Sequence, residues 1–345
     1  MTFKNLCCSN LSNVRQCIEI IDNGQVGYAF VLNETEQLVG IVTDGDVRRA
    51  LLRGVQLQDL VTEVMNRDFK WAASPAEMHE SKAFLRRKGL RYLPELDDEG
   101  RIVSIISNDE LAVPYSEDCS VVIMAGGRGV RLGDLTKKCP KPMIEVNGRP
   151  IIDTVLQQCV DAGFREFYLS VNYLKDQIKD YFGNGNNRGI SIQYIEEKEP
   201  LGTVGSLSLL PKAAKKPIFV LNADIVTKVD FGQILQFHRE TGGRATACVS
   251  KKQVTVPFGV VEFSETRLLS VSEKPSFDYF ALSGIYVLEN EIVDLIEPKK
   301  RTDMPELLQA GIQSGAEVNI FPIHEYWLDV GLPQNLEEAR NQNDR

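Results

Sequence analysis

The sequence predicts an α/β protein in which a mostly parallel sheet, with helices on both faces, follows a smaller α+β domain. An internal repeat in the first hundred or so residues predicts the small domain. Over the rest of the 345-residue chain, apolar strands alternate with amphipathic helices, which predicts the sheet. A polar segment with a proline, 113–118, separates the two patterns, so we expect domains at residues 1–116 and 117–345.

The repeat aligns residues 39–47 with residues 103–111 at an offset of 64, and the same offset superposes Tyr28 on Tyr92. Each copy has an apolar strand, a turn, a second strand and a hydroxyl residue three positions before an acid. The first copy continues into a helix predicted over 47–53. Two such units predict one domain with pseudo-twofold symmetry.

The second pattern gives the elements of the sheet in chain order. Strands are predicted at 121–125, 167–171, 190–194 and 218–221, and helices at 151–160 and 173–182. Gly183 ends the second of these helices, as glycine commonly does at a helix C-terminus.

Composition limits the function. The net charge is −9, with 43% hydrophobic and 25% charged residues, which argues against nucleic acid or a membrane surface as a partner. No stretch resembles a signal peptide or reaches the roughly 20 apolar residues that span a bilayer. The seven cysteines form no CxxC pair and the three histidines are scattered, so we expect reduced thiols in a cytoplasmic protein rather than zinc or disulfides.

A glycine-rich loop follows the first strand of the second pattern. Gly126, Gly127 and Gly129 can expose backbone N–H groups to phosphate oxygens, and Arg131 and Lys141 add two cations close by. The spacing fits neither GxxxxGK[ST] nor GxGxxG, which excludes a P-loop and a dinucleotide fingerprint. Glycines alone would fit an ordinary turn, but with the cations the loop predicts a cradle for a triphosphate.

The ordered motifs of residues 119–340 resemble the sugar-phosphate nucleotidyltransferase family. The strings that carry the resemblance are GGRGVRLGDLT, PKPMIEVNGRPII, EPLGTVGSL, LNADI, FGVV, SEKP, SGIYVL and WLDVG. The resemblance implies a Rossmann-like, mostly parallel sheet. It also implies an enzyme that joins a nucleoside triphosphate to a sugar 1-phosphate and releases pyrophosphate.

The same resemblance implies roles for particular residues. Catalysis would use Arg131 on the leaving pyrophosphate and Lys141 at the reacting phosphates. The nucleotide would be bound by Ala125, Gly126, Gly127, Gly129, Glu197, Gly202 and Thr203. The sugar phosphate would be bound by Asn172, Gly259, Glu273 and Lys274. Asp224, directly after a strand, and Asp329 would hold Mg²⁺, which prefers carboxylate and phosphate oxygens.

The sequence motifs say less about which base and which sugar the substrates carry than about the type of reaction. The strings EPLGTVGSL and VNYLKDQI most resemble guanylyltransferases, including the glucosamine 1-phosphate enzymes of bacterial legionaminic acid synthesis. GTP and glucosamine 1-phosphate are therefore the expected substrates. Two alternatives remain: the same reaction with UTP, CTP or dTTP and another hexose or heptose 1-phosphate, or a catalytically silent nucleotide sensor.

Residues 1–116 resemble a tandem pair of CBS domains, which are adenosyl-ligand sensing modules. The matching string is GIVTDGDVRR, in which the resemblance implies Thr43 and Asp46 as ligands for phosphate and ribose of a nucleotide effector. The second copy has Ser107 and Glu110 at these positions. A pair without ligand that serves dimerisation is the alternative, and a homo-oligomer is expected in either case.

Overall fold

A computed structural model describes residues 3–24, 26–72, 85, 92–107, 118–214 and 217–341. The chain divides into two compact units, Met1–Val113 and Pro114–Arg345. The predicted linker, apart from Asp118, lies outside the described residues, as does Glu110 of the second repeat copy.

The N-terminal unit is built from short strands and two described helices. These are β1 (Cys7–Ser9), α1 (Val14–Gly24), β2 (Tyr28–Leu32), β3 (Leu38–Thr43), α2 (Asp44–Leu52), β4 (Tyr92–Leu96) and β5 (Ile102–Ser107). Short 3-10 turns occur at Phe3–Leu6 and Val61–Glu63. The sheet order is β1-β2-β3, and β4 and β5 form a separate antiparallel pair.

Equivalent positions of the sequence repeat meet in this unit. Tyr28 and Tyr92 stack with ring centroids 3.6 Å apart, and Gln37 forms a β-bridge with Arg101. The β2–β3 and β4–β5 pairs also share their register and carry a bulge at the same position. The contacts therefore keep the offset of 64 residues seen in the sequence, because both copies adopt the same hairpin.

Helix α2 begins at Asp44 rather than at the predicted residue 47. Thr43 caps it: the Thr43 hydroxyl accepts the backbone N–H of Asp46, and the Asp46 carboxylate accepts the backbone N–H of Thr43. This reciprocal capping box satisfies the first exposed donors of the helix, so the helix can start three residues earlier.

The C-terminal unit contains the larger sheet and its helices. The strands are β6 (Ser120–Met124), β7 (Glu145–Val146), β8 (Arg149–Pro150), β9 (Glu166–Val171), β10 (Ser191–Glu196), β11 (Ile218–Asn222), β12 (Ile225–Thr227), β13 (Ala245–Thr255), β14 (Gly259–Ser264), β15 (Arg267–Glu273), β16 (Ser276–Leu288), β17 (Val318–Ile323) and β18 (Trp327–Asp329). The helices are α3 (Ile151–Asp161), α4 (Lys175–Phe182), α5 (Phe231–Thr241), α6 (Asn290–Val293), α7 (Met304–Gln313) and α8 (Pro333–Asn341). Short 3-10 segments occur at Val130–Thr136, Lys141–Met143, Asn186–Arg188 and Gly205–Leu209.

The central sheet has the order β10-β9-β6-β11-β16-β13-β17 and is parallel except at β16, which confirms the predicted mostly parallel α/β fold. Successive residues of a strand point to opposite faces of the sheet, so they pack into two separate cores. Val121 and Ile123 pack with α3, α4 and α5 on one face, whereas Val122 packs with α6 and α7 on the other. Among the described helices, none combines the length and apolar character needed to cross a bilayer.

One part of this unit projects from the packed layers. We call residues 251–282 the arm: it contains the outer halves of β13 and β16 and the whole β14–β15 hairpin. The arm carries eleven large apolar side chains that are 37–71% exposed. They are Val254, Phe258, Val261, Phe263, Leu268, Leu269, Val271, Phe277, Tyr279, Phe280 and Leu282.

Candidate active site

The candidate site lies where the strand order of the sheet reverses. From β6 the chain adds β9 and β10 on one side and then places β11 on the other. Backbone hydrogen bonds hold the loops at these strand ends together: Ala125 donates to Ser170 at 2.8 Å and Ala223 to Met124 at 3.2 Å. In open α/β sheets, ligands bind at such a switch point beyond the carboxyl ends of the strands.

Two carboxylates meet here although their residues are far apart in the chain. Strand β12 pairs with β18, which sets Ile225 opposite Asp329. The backbone N–H of Val330 donates to the carbonyl of Asp224 at 2.9 Å, and the Asn335 side chain donates to the carbonyl of Asp329 at 2.6 Å. The β12–β18 pair therefore brings the two predicted metal ligands, Asp224 and Asp329, to one place.

Lys141 joins both carboxylates. It lies in the 3-10 turn after Pro140 and is buried. Its ammonium donates to the Asp224 carboxylate and lies 3.8 Å from Oδ1 of Asp329. Gly129 has a φ of +62°, and a Cβ there would come within 2.8 Å of the Lys141 Cβ, so the glycine loop packs directly against the lysine stem.

Arg131 approaches the same cluster from the glycine loop. A Cβ added at Gly331 would lie 2.8 Å from both Nη2 of Arg131 and Oδ1 of Asp329, so the guanidinium and the carboxylate share the space beside that glycine. The sequence interpretation did not single out Gly331 as a site residue, although the WLDVG string contained it.

The environment of Asp329 fits a divalent cation. Burial, and next the charge of Asp224, raise the pKa of Asp329 above its usual range, while Lys141 and Arg131 act in the opposite direction. Its Oδ1 is buried and has no hydrogen-bond partner among the described residues. Two adjacent carboxylates with an unsatisfied oxygen are suitable ligands for Mg²⁺, which takes oxygen donors.

A second group of predicted residues lies at the ends of β9 and β10. A Cβ at Gly126 would come within 2.9 Å of the Glu197 carboxylate and 3.3 Å of the Asn172 Cβ. The Glu197 carboxylate accepts hydrogen bonds from the Ser170 hydroxyl at 2.7 Å and the Leu201 backbone at 2.9 Å. The structure thus brings Gly126, Asn172 and Glu197 together, and it adds Ser170, which the sequence gave no signal to select.

Gly202 and Thr203 are held against the start of α7. Gly202 has a φ of +83°, and a Cβ there would lie 2.5 Å from the carbonyl oxygen of Thr302. The Thr203 backbone donates to the Asp303 carboxylate, and its hydroxyl accepts the backbone N–H of Met304. These contacts fix the loop that follows Glu197.

The remaining predicted sugar-phosphate residues lie on the arm. Gly259 pairs with Glu273, and Lys274 follows in the turn with a φ of +45°. All three residues are exposed, and no hydrogen bond or ion pair links the Glu273 or Lys274 side chain to another residue in the described part of the chain.

The predicted effector ligands of the N-terminal unit contact each other. Besides the capping box, the Thr43 hydroxyl donates to the Asp46 carboxylate at 2.6 Å, and Arg49 pairs with Asp46 at 2.7 Å. Their role as ligands of a nucleotide stays a prediction.

Comparison with known proteins decides the family. The nucleotidyl transferase family matches residues 120–345, and the CBS domain family matches residues 1–53. The chain belongs to the nucleotidyl transferase family. It also carries a CBS domain at its N-terminus.

Relatives and solved structures of this nucleotidyl transferase agree with that family. Mannose-1-phosphate guanylyltransferase catalytic subunit beta of Drosophila pseudoobscura pseudoobscura is 33% identical over 222 residues, which are 62% of this chain and 60% of the relative. Mannose-1-phosphate guanyltransferase of Saccharomyces cerevisiae is 32% identical over 231 residues, 62% of each chain. The chain therefore spans only about three-fifths of the length of these curated relatives.

Solved structures share the fold of the C-terminal unit. A crystal structure of HddC from Yersinia pseudotuberculosis has a TM-score of 0.51 and 25% identity, and covers 64% of this chain and 97% of its own. A putative glucose-1-phosphate thymidylyltransferase from Bacillus anthracis has a TM-score of 0.52 and 19% identity, covering 64% of this chain and 94% of its own.

Proposed function

We propose that this protein transfers a nucleotidyl group to a sugar 1-phosphate and releases pyrophosphate, with GTP as donor and glucosamine 1-phosphate as acceptor. One observation carries the proposal: two cations and two carboxylates converge beside the glycine loop at the switch point of the sheet. A site that only bound a nucleotide would release no pyrophosphate. It would therefore not need this set of charges to neutralise a leaving group.

The reaction needs no nucleophile from the protein. An oxygen of the sugar 1-phosphate attacks the α-phosphorus of the triphosphate, and the bond from that phosphorus to the bridging oxygen breaks. Pyrophosphate leaves with the electron pair. The protein has to align the two substrates and offset the charge that accumulates on the leaving oxygens.

Each residue of the cluster has a role in this scheme. The backbone of Gly126, Gly127 and Gly129 binds the phosphates, Arg131 neutralises the leaving pyrophosphate, and Lys141 binds at the reacting phosphates. Asp224 and Asp329 would hold Mg²⁺, which supplies positive charge to the phosphate oxygens when bound. Glu197, held by Ser170, shapes the wall on which the base and ribose rest.

The choice of substrates has two sources of support. The two relatives are named a guanylyltransferase and a guanyltransferase, which favours GTP. Their names also contain mannose 1-phosphate, which makes that sugar the second candidate acceptor. Glucosamine 1-phosphate rests on the resemblance of the CBS fusion to the enzymes of legionaminic acid synthesis. Such substrates are cytoplasmic metabolites, so we propose that the protein acts in the cytoplasm.

A pyrophosphate-release assay tests the proposal. The full chain is assayed with GTP, UTP, CTP, dTTP and ATP against glucosamine, mannose and glucose 1-phosphates, with Mg²⁺ present. Turnover fastest with GTP and glucosamine 1-phosphate is the expected result. Turnover with another pair corrects the substrates but keeps the reaction, whereas release of no pyrophosphate with any pair refutes it.

We further propose that the N-terminal unit binds a nucleotide effector at Thr43 and Asp46. Tyr28 of β2 pairs with Thr43 of β3 and stacks on its repeat equivalent Tyr92 of β4, which supports a paired binding module. Calorimetric titration of the full chain with AMP tests this. Asp46→Asn should weaken binding at least tenfold and the exposed control Asp68→Asn should not; equal binding by both variants would remove the assignment.

A further inference from the structure

The segment that joins β9 to α4 lies against the loop that follows the phosphate-binding glycines. The Tyr173 hydroxyl shares its proton between the carbonyls of Thr136 and Lys137, both at 3.1 Å. Further along, in α4, the Gln177 side-chain amide donates to the Lys138 carbonyl at 3.0 Å. Two side chains from a separate element therefore hold three successive carbonyls of this loop.

One of the residues held in this way, Thr136, closes the loop from the inside. Its buried hydroxyl donates to the carbonyls of Gly129 and Gly133, both at 3.1 Å. These two carbonyls come before and after Arg131 in the chain. Fixing Thr136 therefore fixes the backbone that carries Arg131 on both of its sides.

The backbone directly after Tyr173 is strained. Leu174 has a φ of +49° in the left-handed region, immediately before α4 begins at Lys175. That conformation is sterically unfavourable for a residue with a Cβ. Such outliers persist where surrounding contacts hold them, and they concentrate at functional sites. The strain at Leu174 indicates that the position of Tyr173 is set by its contacts with the loop and not by local preference alone.

The same strand end also anchors a second part of the site. The Asn172 side chain donates to the Glu197 carbonyl at 2.8 Å, and the Ser170 carbonyl accepts the backbone N–H of Ala125 at 2.8 Å. The neighbouring residues Asn172 and Tyr173 thus hold the Glu197 side and the glycine-loop side of the site, respectively. The distance between these two sides is therefore set by one strand end.

We propose that Tyr173 is a positioning residue of the transfer reaction: its hydroxyl, acting through Thr136, holds Arg131 where the leaving pyrophosphate needs it. Arg131 shares the space beside Gly331 with the Asp329 carboxylate, and a shift of its backbone would move the guanidinium out of that place. Catalysis is sensitive to such shifts, because a misplacement of about 1 Å can lower a rate by roughly 10². The inference rests on the proposed function for the role of Arg131, whereas the contact between Tyr173 and the loop can be tested without turnover.

The variant Tyr173→Phe tests the proposal, because it removes the hydroxyl and keeps the ring. The kcat for pyrophosphate release should fall about fivefold, the factor that corresponds to one ordinary hydrogen bond. Tyr194→Phe is the matched control, since the Tyr194 hydroxyl also donates to a backbone carbonyl, that of Gly183 at the other end of α4, at 2.6 Å. This control should keep the wild-type kcat. A folded Tyr173→Phe protein with wild-type kcat would overturn the proposal.

A double-mutant cycle distinguishes positioning of Arg131 from a general loss of structure. Arg131→Ala removes the group that Tyr173 positions, so adding Tyr173→Phe to it should lower kcat further by less than about twofold. Single-turnover rates with the protein in excess keep these slow variants measurable. An equal fall caused by Tyr173→Phe in both backgrounds would overturn the proposal, and so would an Arg131→Ala protein with wild-type kcat.

Hydrogen–deuterium exchange of the loop tests the contact without turnover. The amides of Leu132 and Lys137 are hydrogen-bonded inside the loop, to Gly129 and Asp134. They should exchange about fivefold faster in Tyr173→Phe than in the wild type, because the loop opens more often. The Tyr194→Phe control should exchange like the wild type.

This measurement also separates failure of the inference from failure of the proposed function. If the wild type releases no pyrophosphate with any substrate pair, the proposed function fails, and the exchange rates still decide whether Tyr173 holds the loop. Loop amides that exchange equally fast in the wild type and in Tyr173→Phe would refute the inference whatever the activity.

Discussion

The Lys141 ammonium forms an ion pair with Asp224 and lies 3.8 Å from the Asp329 carboxylate, with the lysine side chain only 9% exposed. One buried cation thus lies close to two carboxylates whose residues are more than 100 positions apart in the chain. Under the proposed function, these charges lie side by side where the triphosphate and its metal ion would bind. Removing Lys141 leaves the two neighbouring carboxylates without this countercharge.

Replacing Lys141 with methionine should lower kcat by about 10²–10³, because a transition-state charge contact of this type is worth roughly 2.7–4 kcal/mol. The measurement is steady-state pyrophosphate release at saturating substrates. Lys137→Ala is the control, since its side chain is 74% exposed and pairs only with Asp134 in the described chain. A folded Lys141→Met protein with wild-type kcat would contradict the assigned role.

Replacing Asp329 with asparagine should raise the Mg²⁺ concentration needed for half-maximal activity by at least tenfold, because one of two oxygen ligands loses its charge. Binding of Mn²⁺ followed by electron paramagnetic resonance checks this without turnover. The exposed Asp134→Asn protein should bind Mn²⁺ like the wild type. Wild-type activity that persists in EDTA would show that no divalent ion is required.

Two single variants, Gly126→Ala and Gly127→Ala, distinguish the effect of packing on stability from the effect of ligand contact on KM. A Cβ at Gly126 would lie 2.9 Å from the Glu197 carboxylate and 3.3 Å from the Asn172 Cβ. Because Ser170 and Leu201 hold that carboxylate in place, Gly126→Ala should lower the free energy of unfolding by about 1–3 kcal/mol. A Cβ at Gly127 meets nothing within 4 Å. The free energy of unfolding of the Gly127→Ala protein should therefore lie within about 1 kcal/mol of the wild-type value.

Both alanine variants should nevertheless raise the KM for the nucleoside triphosphate, because the backbone of this loop is proposed to touch the phosphates. Chemical denaturation measures the stability, and initial rates at varied GTP measure KM. An unchanged KM in Gly127→Ala would mean that the ligand does not approach this glycine.

The stability of the large sheet should fall in acid because of His238. Burial of its side chain lowers the pKa of His238 in the folded protein, although Glu289 opposes the shift. In the unfolded chain, the His238 side chain takes up a proton at its ordinary pKa of about 6.5. In the folded chain, the same side chain takes up a proton only at a lower pH. The free energy of unfolding should therefore be constant well above pH 6.5 and decrease as the pH falls below it.

Urea denaturation at pH 8, 6.5 and 5.5 measures this slope. His238→Gln removes the titrating group and should lower the dependence on pH in that window, whatever its effect on stability at pH 8. Identical slopes for the two proteins would exclude His238 as the cause.

Local patterns of the sequence predicted most of the large sheet. The helix expected over 151–160 is α3 (Ile151–Asp161), and the strand expected over 167–171 is β9 (Glu166–Val171), because spacing of apolar residues fixes both kinds of element. The start of α2 was missed by three residues, since the capping side chains of Thr43 and Asp46 had been interpreted only as ligands.

By itself, the sequence determined the strands and helices, the glycine loop and the types of charged residue that a nucleotidyl transferase carries, because these depend on neighbours within a few positions. Only the tertiary structure decided that Asp224 and Asp329 meet Lys141, since that contact depends on the pairing of β12 with β18 and on the order of strands in the sheet. The same holds for Gly259 and Glu273: their motifs name them, but only the pairing of β14 with β15 sets them opposite each other.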